Sequence, residues 1–137
     1  MKSKRFIAIG CLISATTFFA CTKHDGDVEE PIPTATLTFS SPTAGAVYHT
    51  GDRVLIQGLA AASAEMHGYE VSVKNAADTS VVYFSQEVHE HSDTLLINQG
   101  WKDTLTTATN LQVEVTLILD HDGHTSTKSV GIKSETK

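Results

Sequence analysis

The sequence predicts an all-β domain of seven short strands folded as a two-sheet sandwich, preceded by a segment that is not part of the fold. Three observations predict it. From residue 34 onward, apolar and polar residues alternate in run after run, the period-two pattern of half-buried strands. Turn residues separate these runs at short intervals, and only residues 60–66 hint at a helical turn, which is too short to stand alone. The first 33 residues show neither feature: a basic start gives way to an uncharged apolar run and then to an acidic stretch.

The first strand is predicted over residues 34–40, with Leu37 and Phe39 on one face, and it ends at Ser41-Pro42. Ala44-Gly45 and Gly51-Asp52 mark a loop before the second strand, residues 53–59. The third, residues 68–74, turns Tyr69, Val71 and Val73 one way and Glu70, Ser72 and Lys74 the other. In the fourth, residues 80–88, Val82, Phe84 and Val88 share one parity, which places Tyr83 on the outer face. The fifth covers residues 94–98, with Trp101 following it. The sixth, residues 111–119, carries the cleanest alternation: Leu111, Val113, Val115, Leu117 and Leu119. The seventh covers residues 125–133 after Asp120-His121-Asp122-Gly123, a strong turn signal. About seven strands in about 100 residues is the pattern of an immunoglobulin-like or fibronectin-like β-sandwich. The antibody-type hallmarks are absent: there is no cysteine pair, and Trp101 does not fall on the third strand.

The leader reads as an address. Lys2, Lys4 and Arg5 form a basic start, and residues 6–20 are an uncharged run of 15, short for a membrane span but right for the apolar part of a secretory signal. It ends in Phe18-Phe19-Ala20-Cys21, a small residue directly before a cysteine. This resembles the lipobox of bacterial lipoproteins, with Phe18 standing where those boxes usually have Leu. The acids that follow (Asp25, Asp27, Glu29, Glu30) resemble the surface-export signals of Bacteroidota-type lipoproteins. The turn chemistry of residues 41–52 and 120–123 resembles that of Ig-like domains in bacterial surface lipoproteins. The resemblance implies cleavage after residue 20 and lipidation of Cys21. It further implies anchoring in the outer membrane, facing the periplasm or the cell surface. Residues 21–33 then form the lipidated cysteine and an acidic tether, and residues 34–137 the sandwich domain.

These features narrow the function. The chain carries 10 basic and 16 acidic residues, a net charge of −6. Without the leader, 7 basic residues face 16 acidic ones, a balance of −9 that opposes binding to a phosphate backbone. Cys11 would leave with the leader and Cys21 would carry lipid, so the domain would hold neither thiol nor disulfide, and any metal ligands must be His, Asp or Glu. The sequence has no Gly-rich phosphate loop, no nucleophile elbow and no EF-hand loop, which points to a binding module rather than an enzyme.

Histidine is the outlier. Of seven, His67 lies between the second and third strands, His89 and His91 between the fourth and fifth, and His121 and His124 between the sixth and seventh. Strand direction alternates, so these three connections gather at one pole; His49 falls at the other, and His24 in the tether. His89 and His91 are i and i+2 and share a side if the chain stays extended, opposite in parity to Val82 and Phe84. His67 and His121 share the parity of the core. Convergence of all of them requires the end of the fourth strand to bend over the sandwich end. The expectation is a site for a divalent transition ion, Zn2+ or Cu2+, built from His67, His89, His91 and His121 with His124 as a further ligand. The alternative is that exposed loop histidines hydrogen-bond to Glu87, Glu90, Asp93 and Asp122, and that the domain is a structural or adhesive module. Its partner would then be another envelope protein or a glycan, the latter stacking on Tyr48, Tyr69, Tyr83 or Trp101.

Overall fold

The structure, a computed structural model, describes residues 31–137. The leader, Cys21, His24 and the tether as far as residue 30 lie outside the described residues. Eight strands follow in order: β1 Ala35–Ser41, β2 Val47–His49, β3 Arg53–Met66, β4 Gly68–Asn75, β5 Val82–Val88, β6 Ser92–Lys102, β7 Thr109–Ile118 and β8 Thr125–Glu135. They form a three-stranded sheet ordered β1-β3-β6 and a five-stranded sheet ordered β2-β8-β7-β4-β5. The fold is the all-β, immunoglobulin-like sandwich that the alternation predicts. Inward residues of both sheets make one core, with Val54, Ile56 and Leu95 from one sheet and Val71, Val115 and Leu117 from the other, all fully buried. Each such side chain stabilises the fold by about 1.5–3 kcal/mol relative to exposure.

The structure departs from the predicted elements in four places, each with a physical cause. The described residues form eight strands, because Val47–His49 pairs parallel with β8 inside the expected loop. Main-chain bonds from Gly45 N–H to Gly131 O (2.8 Å) and from Lys133 N–H to Ala46 O (2.9 Å) hold it there. Residues 60–66 are not a helical turn but the end of β3, where Ala60 and Ala61 pair with both β1 and β6; tertiary pairing overrides the helix propensity of alanine. β6 runs on through Trp101, which is part of the strand and buried. Tyr83 does not lie on the outer face. The β4–β5 register shifts so that Val73 pairs with Phe84 and Lys74 with Val82, and Tyr83 becomes the extra residue. It turns inward and stacks on Trp101, ring centroids 6.5 Å apart. Tyr69 is also buried, and Tyr48 and Tyr83 are half-buried.

The pole opposite the histidine-rich connections is fastened by a buried carboxylate. Asp103, only 1% exposed, accepts hydrogen bonds from the Ser134 hydroxyl and the Leu105 N–H. Gly51 N–H donates to the Asp103 carbonyl at 2.7 Å, so one residue joins the chain before β3, the end of β6 and the end of β8. His49 sits at this pole, its N–H donating to Asp52 Oδ2 at 2.9 Å.

Candidate metal centre

The topology brings three connections to the other pole. β3 passes to β4 through His67 alone, β5 to β6 through residues 89–91, and β7 to β8 through residues 119–124. The second of these must bend over the sandwich end, since β5 belongs to one sheet and β6 to the other. That crossing brings the ring of His91 against that of His67, with His89 beside it, while both His89 and His91 remain exposed.

Four of the five expected histidines meet. The ring of His67 lies 4.5 Å from that of His91, edge to face, and 3.8 Å from that of His121. The rings of His89 and His91 are 4.8 Å apart, with their Nε2 atoms separated by 3.1 Å. Two nitrogens bound to one tetrahedral zinc ion, each about 2.0–2.1 Å from it, lie about 3.3 Å apart. The His89–His91 pair is therefore already close to the bite of a chelate. Where the metal-free chain has a hydrogen between the two Nε2 atoms, a cation can take its place.

The remaining rings are near but not aimed. His67 and His121 lie against each other at a 48° tilt instead of pointing their nitrogens at a common centre. Among the described residues no group of three or more His, Cys, Asp or Glu side chains is arranged to hold an ion as it stands. Closing a site around the His89–His91 pair therefore requires His67 or His121 to turn. His67 Nδ1 is buried with no hydrogen-bond partner, an uncompensated polar atom at the edge of this group.

His124 does not join the group. Its Nδ1 lies 2.6 Å from Asp120 Oδ2, and Asp120 Oδ1 accepts the N–H groups of Asp122 and His124 at 3.0 Å each. Burial works against the charge on Asp120, but these hydrogen bonds outweigh it and hold its carboxyl below the usual carboxylate range. The carboxylate that withdraws His124 also fixes the loop from which His121 reaches His67. Sequence reasoning anticipated Asp122 as a partner and missed Asp120, whose i+2 and i+4 amides were the available signal. It also missed Glu65, whose Oε1 lies 3.2 Å from His91 Nδ1.

His67 titrates below its ordinary value. Burial is the largest cause, followed by charge on His121 and His91 and, more weakly, on His89; Glu65 alone opposes them. As pH falls, the unfolded chain takes up this proton first. The stability that His67 contributes is therefore complete above about 6.5 and lost as pH falls through its lower folded value. The melting temperature of the metal-free protein should drop between pH 7.5 and pH 5 more steeply in the wild type than in His67→Gln. Parallel melting curves for the two across that range would remove His67 as the cause.

No protein-family model matches the chain, and no curated protein matches it. Among solved structures it is similar to CopC from Methylosinus trichosporium, with 12% identity, a TM-score of 0.46, and coverage of 75% of this chain and 95% of that one. It is also similar to the fibronectin(III)-like modules of CbhA from Clostridium thermocellum, with 21% identity, a TM-score of 0.41, and coverage of 73% and 96%. A third is a CARDB domain from Pyrococcus furiosus in complex with di-metal ions, with 11% identity, a TM-score of 0.42, and coverage of 76% and 96%. At these identities and TM-scores the likenesses carry nothing about function.

Proposed function

We propose that this chain is a lipid-anchored module of the bacterial envelope whose histidine pole binds one divalent transition-metal ion. His89 and His91 supply the first two nitrogens, and His67 and His121 turn to complete the set. The observation that carries the reading is the 3.1 Å approach of the two Nε2 atoms, with the ring of His91 packed against that of His67, whose Nδ1 has no hydrogen-bond partner. An imidazole donor set without thiolate or thioether suits Zn2+ or Cu2+ and argues against a Cu+ carrier. Lipidation of Cys21 and the acidic tether would hold the domain at the outer membrane, clear of the lipid surface: twelve extended residues reach about 40 Å. The role is binding rather than catalysis.

The test is a calorimetric titration of Zn2+ and of Cu2+ into residues 22–137 at pH 7.4. One equivalent bound at micromolar affinity or tighter is the expected result. Ligation needs neutral imidazoles, so the affinity should weaken as pH falls through about 6.5. Weak heat spread over many sites would overturn the metal reading and leave a structural or adhesive role with an envelope partner.

A further inference from the structure

A bulge in β3 sets a carboxylate behind one of the proposed ligands. Between the pairs Ala61↔Thr94 and Met66↔Ser92, residues 62–65 of β3 stand opposite Asp93 alone. The arc is tied to the chain just before β1: Ser63 N–H donates to Thr34 O at 2.9 Å, and Thr34 N–H donates to Ser63 Oγ at 3.0 Å. At its far end, Glu65 Oε1 approaches His91 Nδ1 at 3.2 Å. An ionised carboxylate can only accept, so the hydrogen of this contact belongs to His91 Nδ1. The neutral ring then keeps its lone pair on Nε2, the atom that faces His89 Nε2.

We propose that Glu65 is a positioning residue of the metal site: it holds His91 as the Nδ1–H tautomer and thereby makes Nε2 the metal donor. This rests on the metal reading above. The arrangement is a carboxylate–histidine–metal relay, in which the outer carboxylate orients the ring and raises its basicity. Without Glu65 a free imidazole divides between its two tautomers, and the form with hydrogen on Nε2 must rearrange before it can ligate. The same logic requires His89, whose Nε2–H donates to His91 in the metal-free chain, to move its hydrogen to Nδ1 when a cation enters. Nothing comparable is needed of His91, which stands ready.

The pair is exposed, with side-chain exposures of 42% for His91 and 65% for Glu65, so water screens the contact. The expected loss therefore lies at the lower end of the range for outer-shell partners, about tenfold in affinity for Glu65→Ala. Glu65→Gln retains an acceptor oxygen and should recover most of it. The readout that a merely structural role would not move is the tautomer, taken from long-range 1H–15N correlations of the imidazoles in metal-free protein at pH 7.5. His91 should carry its hydrogen on Nδ1 in the wild type and in Glu65→Gln, and become mixed in Glu65→Ala. Zn2+ titration of the same three proteins completes the test. An Nε2–H tautomer in the wild type, or Zn2+ bound equally well by Glu65→Ala, would overturn this proposal while leaving the metal site standing. Absence of Zn2+ and Cu2+ binding in the wild type would overturn both.

Discussion

Replacing Gly68 with alanine should destabilise the domain by about 3 kcal/mol and disorganise the histidine pole in the same stroke. Gly68 has φ +124°, a region closed to residues with a Cβ, so alanine there is strained whatever room surrounds it. There is also no room. A Cβ at this position would stand 2.0 Å from Val88 O and 3.1 Å from both Glu90 N and His89 Cα. All three belong to backbone, which cannot rotate away as a side chain would. The crossing from β5 to β6 must therefore lift off the start of β4, breaking the register in which Tyr69 faces Val88 and moving His89 from its neighbours. For a domain of this size the loss corresponds to a fall in melting temperature of about 15 °C. Thermal unfolding followed by circular dichroism checks the first part, and zinc titration of the variant below its transition checks the second. A variant melting within a few degrees of the wild type would show that the crossing yields cheaply.

That close approach explains why the pole was only partly legible in the chain. Alternation of polar and apolar residues located the long strands, since a period of two in β7 or β4 has one structural meaning. Alternating strand direction then sent three connections to one end, and five histidines with them. What the pattern of one strand cannot contain is its register against another. Tyr83 reads as outward from its own neighbours and faces Trp101 only because β5 holds one residue more than β4 between two pairs. β2 is three residues long, too short for a period, and its partner strand lies at the far end of the chain. Glu65 follows a run of small residues whose local preference is helical, so nothing announces that a bulge there delivers a carboxylate to His91. His121 and His124 lie in the same connection, and what separates them is that Asp120 captures the ring of His124, four residues on, and not that of His121.

Changing His89 and His91 together to alanine should reduce zinc affinity by more than about 100-fold and leave the fold intact, because both side chains are exposed while both donate nitrogens to the proposed site. Loss of these two ligands leaves, of the four grouped histidines, His67 and His121, which lie ring against ring and offer no ready pair. The melting temperature of the metal-free variant should stay within about 3 °C of the wild type, as for ordinary surface changes. A finer consequence separates this substitution from simple damage. Charge on His91 and His89 is part of what lowers His67, so removing both should let His67 titrate closer to its ordinary value and flatten the pH dependence of stability below about 6.5. His124→Ala is the matched control, since it deletes an imidazole from the same pole but one already held by Asp120. The amide of residue 124 still reaches Asp120 in that variant, so the loop keeps its shape and zinc should bind as in the wild type. If the double variant retains a one-to-one site of unchanged affinity, the ion sits elsewhere. If His124→Ala abolishes binding instead, Asp120 releases that ring in solution and His124 takes the place assigned to His89.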